Sequence, residues 1–234
     1  MLKFNNKVMK FGNYWGTSGS VIPPVDPYNP LGLPANTVRV RTSDGNAPIK
    51  GYNTRYETAT LVSGTTDVYD LYKRGNDFVY FLNQSSNVVE VLGANTTNIT
   101  DMDYMFSDCI SLTSVSLFDT SSVTDMHHMF NNCTSLASVP LFDTSSVTNM
   151  STMLYNCISL TLVPLFDTSA CTNMDYMLTR CSNVESGALA LYQQASSQAS
   201  VPSHSITFTQ CGKDTVTGAA ELAQIPTSWG GTAT

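Results

Sequence analysis

The chain has 234 residues, of which 42% are hydrophobic and only 12% charged, and its formal net charge is −7 at pH 7. This composition is typical of a folded protein with a polar, mostly uncharged surface, and it excludes a disordered chain. The charge is uneven, because residues 1–74 hold nine Lys and Arg against five Asp and Glu, whereas residues 75–234 hold two against thirteen. The net negative charge of residues 75–234 repels the phosphate backbone of nucleic acids, so we expect no nucleic-acid partner.

The N-terminal residues 1–18 predict a small hairpin that attaches the chain to another protein. Their apolar residues alternate around Asn5-Asn6, and Lys residues interrupt every apolar stretch. The chain has no apolar run of the roughly 18 residues that a membrane span needs, nor the apolar core of a secretory signal near its start. We therefore expect no membrane insertion and no signal peptide.

Two further segments precede the main part of the chain. Residues 19–36 are rich in Pro and predict an extended, stiff linker. Residues 37–77 alternate apolar and polar residues between turn signals, and they predict a β-rich N-terminal cap.

A repeat of 24 residues dominates the rest of the sequence. Two series of Met and one of Cys carry it, at Met102, Met126, Met150 and Met174, at Met105, Met129, Met153 and Met177, and at Cys109, Cys133, Cys157 and Cys181. A fixed period over four copies is the signature of stacked repeats, in which each copy covers the apolar face of its neighbour. We place the repeats at residues 78–190 and a mixed C-terminal cap at residues 191–234.

Within one repeat, two apolar periods follow each other. The first has the spacing of one helix face and comprises Met126, Met129, Phe130 and Cys133. The second has the spacing of a leucine-rich-repeat strand and comprises Leu136, Val139 and Leu141. We therefore predict an α/β solenoid, a leucine-rich-repeat-like stack of coils made of a short helix plus a short strand, with a parallel sheet.

The repeat units TSSVTDMHHMFNNCTSLASVPLFD and TSSVTNMSTMLYNCISLTLVPLFD resemble those of BspA-like leucine-rich-repeat surface proteins of bacteria and bacteriophages. The resemblance covers about residues 78–190. The later segments SGALALYQQASSQ and TGAAELAQIPTSWGG are similar to the closing segments of phage-encoded members. The resemblance implies an extracellular adhesion or recognition module rather than an enzyme.

The repeats differ mainly at positions that a helix would turn away from the Met stripe. These candidate ligand-binding residues are Asp103, Tyr104, Asp108, His127, His128, Asn131, Asn132, Tyr155, Asn156, Asp175, Tyr176 and Arg180. Two interpretations stay open for them. The first is drift of an unconstrained surface. The second is recognition, which these residue types favour because they make adaptable contacts to sugars and proteins.

No spacing in the chain indicates catalysis or metal binding. The repeated Cys predict buried thiols, because a spacing of 24 residues does not match the Cys-x2-Cys pattern of a zinc site. We expect Asp119, Asp143 and Asp167 to form turns and cap helices rather than to bind calcium. No nucleophile motif or phosphate loop is present, so we predict no enzyme activity, no metal and no cofactor.

We expect a phage virion-associated fibre or decoration protein that binds a glycan or protein on the host surface. A particle released by lysis needs no signal peptide, which favours a virion over a secreted adhesin, and residues 1–20 would then bind other virion proteins. The alternatives are a structural or decorating virion protein without a specific ligand and a bacterial cell-surface adhesin. The expected location is the virion surface or the extracellular space, and a homo-oligomer is compatible with the sequence.

Overall fold

The computed structural model of the protein describes residues 3–4, 7–8, 26, 28–51 and 53–233. Its strands are β1 (Lys3–Phe4), β2 (Lys7–Val8), β3 (Thr37–Thr42), β4 (Thr58–Leu61), β5 (Val68–Tyr72), β6 (Val88–Asn95) and β7 (Ser114–Val115). Two short helices, α1 (Ala188–Ser196) and α2 (Val216–Leu222), and a 3-10 turn at Thr227–Trp229 follow them. Within the described ranges, no helix is long and apolar enough to cross a membrane.

A mixed sheet of five strands lies at the start of the repeats, in the order β4-β5-β3-β6-β7. Strand β3 shows why it forms, because its Val38 and Val40 are buried in the core while Arg39 and Arg41 point to the other face. Arg39 pairs with Asp70 of β5 at 2.6 Å, and Arg41 pairs with Glu90 of β6 at 2.6 Å. Most pairs in the sheet are antiparallel, and only β6 and β7 pair in parallel.

The repeats lie on one another in a register of one 24-residue unit. The backbone amide of Tyr104 donates to the carbonyl of His127 at 2.9 Å, and that of His128 donates to the carbonyl of Ser151 at 3.1 Å. Parallel bridges also join the residues that open successive repeats, from Asp77 through Asp101, Asp125 and Asn149 to Asn173, and then Ser203. About half of the backbone hydrogen bonds donated by this segment therefore run to a neighbouring repeat, and the others close turns within the repeat.

The prediction of an α/β solenoid was wrong, and the helices are the first reason. The segment from Met126 to Cys133 forms turns, in which Met129 donates to the carbonyl of Met126 and Cys133 to that of Phe130, three residues back. Left-handed backbone at His128 (φ 55°) and Asn132 (φ 64°) interrupts the run of right-handed residues that a helix needs. The same pair of positions is left-handed in the neighbouring repeats at residues 104 and 108, 152 and 156, and 176 and 180.

The predicted strands are the second reason. Within the described residues, Ser114–Val115 is the only strand inside the repeats after β6, so the repeats do not build a continuous parallel sheet. Leu136 and Val139 are buried as predicted, but Leu141 is 61% exposed and Phe142 is buried in its place. The amide of Phe142 donates to the carbonyl of Pro140 at 3.0 Å, and this tight turn brings Phe142 rather than Leu141 to the core.

The prediction of buried thiols is confirmed, since all six Cys are free and buried. The repeated thiols also make hydrogen bonds, as in Cys133, whose Sγ donates to the carbonyl of Phe106 at 3.1 Å. Cys109, Cys157 and Cys181 make the same bond to a carbonyl 27 residues earlier. A small apolar side chain with a weak donor therefore fits this position of every repeat.

Most of the predicted N-terminal hairpin at 1–18 and part of the linker at 19–36 lie outside the described residues. Strands β1 and β2 pair antiparallel, with Lys3 opposite Val8. The C-terminal segment continues the stack, because the amide of Tyr176 donates to the carbonyl of Ser205 at 2.9 Å and that of Arg180 to the carbonyl of Thr209 at 2.9 Å. Residues 203–210 therefore cover the last repeat.

The left-handed backbone leads to a stability prediction at Thr152, whose φ is 58°. A β-branched residue is strained there, whereas Asn adopts this conformation readily. We expect Thr152→Asn to raise the free energy of unfolding by about 1 kcal/mol, as measured by urea denaturation. Thr161→Asn is the matched control, because Thr161 is exposed and its backbone is not left-handed. A gain no larger than that of the control would contradict the strain assigned to position 152.

Candidate functional site

In three successive repeats the first left-handed position carries a ring, and these rings, of Tyr80, Tyr104 and His128, form an aromatic column. The rings of Tyr80 and Tyr104 are stacked at 4.7 Å between centroids, and those of Tyr104 and His128 at 4.3 Å. Asn131 lies beside the column, with its Nδ2 2.5 Å from Nδ1 of His128. Stacked rings of this kind contribute about 0.5–1.5 kcal/mol per pair, so the column supports the fold as well as facing solvent.

The second left-handed position carries an amide ladder of Asp108, Asn132 and Asn156. Nδ2 of Asn132 donates to Oδ1 of Asp108 at 2.8 Å, and Nδ2 of Asn156 donates to Oδ1 of Asn132 at 2.5 Å. Asn and Asp tolerate left-handed backbone better than other residues, which accounts for their choice here. The amide ladder therefore joins three repeats, and its three side chains are ones that the sequence analysis predicted to bind a ligand.

His127 and Asp175, which occupy one position in two repeats, also bond to the next segment of the stack. Nδ1 of His127 lies 2.6 Å from Oγ of Ser151, and Oδ1 of Asp175 accepts the backbone amide of Ser205 at 2.6 Å. These two side chains are half-buried and engaged, and so are less available to a ligand than the sequence suggested.

A shallow depression of about 230 Å³ lies where the last repeat meets residues 203–210. It is lined by Tyr155, Tyr176, Thr179, Arg180, Ile206, Thr209 and Gln210. The guanidinium of Arg180 lies over the ring of Tyr155, 5.9 Å from its centroid, and Tyr176 is 43% exposed. Within the described part of the chain, Arg180 forms no ion pair, so its donors face solvent.

The structure thus divides the predicted site residues into two groups. Tyr155, Tyr176 and Arg180 meet in the depression, whereas eight others stand in or beside the column, in the ladder and in the bonds to the next segment. The twelfth, Asp103, is half-buried. Sequence reasoning missed Tyr80, although Tyr80 lies one period of 24 residues before Tyr104. It also missed Ile206, Thr209 and Gln210, because residues 203–210 lie outside the 24-residue period.

The comparison with protein families finds one match. Residues 76–192, half of the chain, match the model of the family described as Mycoplasma protein of unknown function, DUF285. The chain belongs to this family. DUF285 is a surface-protein-like domain related to the BspA-type repeat proteins, so the resemblance seen in the repeats is confirmed at this level. No curated protein and no solved structure gives a match to the chain.

The DUF285 domain carries a row of carboxylates where successive repeats begin. Asp77, Asp101 and Asp125 are joined by parallel bridges, and each accepts the amide two residues on, as Asp101 accepts that of Asp103 at 2.9 Å. Burial, followed by the charges of Asp125 and Asp77, raises the pKa of Asp101. The next two repeats carry Asn149 and Asn173 instead, which keep the turn without adding to the repulsion.

Asp103 is the most perturbed carboxylate of the DUF285 domain. Burial first, and then the charges of Asp125 and Asp101, raise its pKa to about 7. Its Oδ1 is buried and has no hydrogen-bond partner within the described part of the chain. Nearby, burial and His127 lower the pKa of His128 to about 4, so this ring of the aromatic column is neutral at pH 7.

The His, Cys, Asp and Glu side chains of the described residues are the groups from which a metal site would be built. They include no group of three or more His, Cys, Asp or Glu side chains that could hold a metal ion. Burial raises the pKa of the Cys109 and Cys181 thiols to about 12, so these thiols are not nucleophiles at neutral pH. The exposed chemical groups at the depression are the tyrosine rings, the guanidinium of Arg180 and the amide of Gln210.

The raised pKa of Asp103 predicts a pH-dependent stability difference. The folded chain holds this proton more tightly than the unfolded chain does, so the free energy of unfolding falls as pH rises from about 4 to about 7. We expect Asp103→Asn to remove this loss, giving a variant that matches the wild type near pH 4 and is about 1–2 kcal/mol more stable near pH 8. Thermal or urea unfolding at both pH values measures it.

His128 titrates in the opposite sense, because its lowered pKa makes stability fall as pH drops from about 6.5 to about 4. Both proteins retain His128, so the difference between them isolates Asp103. Glu185→Gln, at an exposed position, controls for the loss of one negative charge. A difference that is the same at both pH values would show that Asp103 ionises normally in the folded chain.

Proposed function

We propose that the protein is a non-enzymatic recognition module that binds a glycan or protein on a cell surface. The observation that carries this proposal is the depression in which Tyr155, Tyr176 and Arg180 meet. Its volume suits one sugar unit or one side chain rather than a large cofactor. Tyrosine rings present flat apolar faces to sugar C–H groups, and the guanidinium of Arg180 and the amide of Gln210 supply hydrogen bonds to hydroxyl or carboxylate oxygens.

The constancy of the interior supports the same proposal. Met, Cys and Phe recur in the core of each repeat and are almost fully buried, while several of the less buried positions change from repeat to repeat. A fixed interior with a changing surface is how repeat proteins acquire binding faces. Membership of a surface-protein-like family agrees with recognition outside the cell.

We propose further that the protein acts on a bacteriophage virion, as a fibre or decoration protein. The support is the resemblance, given under the sequence analysis, of the segments SGALALYQQASSQ and TGAAELAQIPTSWGG to the closing segments of phage-encoded BspA-like proteins. In this role residues 1–20 bind another virion protein and the depression faces the host. A bacterial cell-surface adhesin is the alternative location for the same binding activity.

A structural protein without a specific ligand is the second candidate function. The amide ladder favours it, since Asp108, Asn132 and Asn156 satisfy one another's hydrogen bonds along the stack. A surface made for contact with a ligand leaves such groups free, whereas a structural surface uses them internally.

Binding of a double variant, Tyr176→Ser with Arg180→Gln, tests the proposed function. Both side chains are exposed, so we expect each change to alter stability by no more than about 0.5 kcal/mol. Binding to bacterial cells and to purified surface glycans should fall more than about tenfold, because aromatic and Arg side chains dominate such contacts.

Val216→Ser is the control, since Val216 is 90% exposed and lies outside the depression. It should bind as the wild type does. Wild-type affinity in the double variant would exclude the depression as the binding site. A wild-type protein that binds neither cells nor glycans would favour the structural alternative.

A further inference from the structure

The depression lies where two rows of left-handed residues pass from the last repeat onto residues 203–210. The first row continues from Tyr176 (φ 60°) to Ile206 (φ 44°). The second row continues from Arg180 (φ 68°) to Gln210 (φ 61°). All four side chains are exposed and line the depression. The first row therefore supplies apolar surface, and the second supplies hydrogen-bond donors.

Hydrogen bonds fix the two sides of the depression to each other. The backbone amide of Arg180 donates to the carbonyl of Thr209 at 2.9 Å. Oγ1 of Thr179, a buried residue, donates to the carbonyl of Ile206 at 2.6 Å. The last repeat and the segment that covers it are thus held together, so the depression needs little rearrangement to take a ligand.

The amide ladder ends where the depression begins. Asn132 and Asn156 each donate to the side chain at the same position one repeat earlier. Arg180 occupies the next position, but among the described residues its guanidinium donates to no oxygen and lies over the ring of Tyr155 instead. The ladder therefore leaves the donors of Arg180 for a ligand.

Arg180 also differs in charge from what surrounds it in the sequence. Residues 75–234 hold thirteen Asp and Glu and two basic residues, Arg180 and Lys213. Lys213 pairs with Asp214 at 2.6 Å, whereas Arg180 has no carboxylate within ion-pair distance in the described range 75–233. It is the charged residue among the seven that line the depression. An anion that approaches this acidic part of the chain therefore meets an unpaired cation at the depression.

We propose that the depression binds a sugar that carries a carboxylate, such as a hexuronic acid. This inference rests on the recognition function proposed above. The planar guanidinium of Arg180 holds the carboxylate through paired hydrogen bonds, and the amide of Gln210 bonds a hydroxyl of the same sugar. The C–H face of the sugar ring packs on Tyr176 and Ile206.

The apolar row favours a sugar over an acidic side chain of a protein. A carboxylate on a short side chain would reach Arg180 but leave Tyr176 and Ile206 uncovered. The volume of about 230 Å³ suits one sugar ring. The acidic excess of residues 75–234 repels a polyanion, so the ligand is one acidic unit of a glycan rather than a run of them.

The test is an NMR titration of the full chain with two matched pairs of methyl glycosides. They are glucuronic acid against glucose and galacturonic acid against galactose, and within each pair a carboxylate replaces a CH2OH group. The wild type should bind at least one acid about tenfold more tightly than its neutral partner, because hydrogen bonds to a charged group are the stronger ones.

Three variants locate the source of this preference. Arg180→Gln should bind both members of a pair alike, and Arg180→Lys should keep part of the preference through its charge. Lys213→Gln is the matched control, because it removes the other positive charge of residues 75–234 but lies outside the depression. It should keep the full preference. Circular dichroism and thermal unfolding establish that all four proteins are folded.

Four results would overturn the proposal. Equal affinity for acid and neutral sugar would remove the preference for a carboxylate and leave the recognition function standing. A preference that survives in Arg180→Gln would place the anion elsewhere. Equally tight binding of glycyl-glutamyl-glycine with blocked ends would assign the depression to an acidic protein side chain. A chain that binds cells through the depression but binds neither acid would exclude this class of sugar, whereas a chain that binds no cells either would remove the recognition function itself.

Discussion

Hydrogen bonds between successive repeats are the constraint on which the rest of the structure depends. A 24-residue unit with neither helix nor strand cannot satisfy its own backbone, and the amides of Tyr104 and His128 donate to carbonyls of the following repeat. Tyr104 and His128 are left-handed, and their amides are among those that donate along the stack. Their strain, of order 1 kcal/mol each, is offset by bonds that exist only when the next repeat is in place.

The stacking of the repeats in a register of 24 residues also determines which side chains meet on the surface. Equivalent side chains of neighbouring repeats are brought into contact, so rings stack in the aromatic column and amides bond in the amide ladder. Carboxylates are brought close together as well, and burial first, followed by these like charges, raises the pKa of Asp103 and Asp101. The 24-residue pattern stops at the last repeat, and there the side chains of Tyr176 and Arg180 are exposed and line the depression. The proposed recognition site is thus a consequence of the end of the stack.

The 24-residue register of the repeats and their buried positions could be predicted from the sequence, because the Met and Cys series mark equivalent buried positions in successive repeats. It failed on local conformation, since the spacing of Met126, Met129, Phe130 and Cys133 fits a helix face and a series of turns equally well. Left-handed backbone at residues such as Tyr104 and Thr152 carries no sequence signal, because these residues rarely adopt it. The exposure of Leu141 was missed for a related reason, since the tight turn at Pro140 shifts the inward position by one residue.

Hydrogen exchange of the amides of Tyr104, His128, Thr152 and Tyr176 tests the role of the bonds between repeats most directly. Each of these amides donates to the next segment of the stack. If the repeats hold one another, all four exchange with one common free energy, close to that of global unfolding and to that of Val40 in β3. The amide of Ser121, which bonds to the side chain of Asp119, exchanges far faster. Exchange of the four amides at the rate of Ser121 would contradict the account.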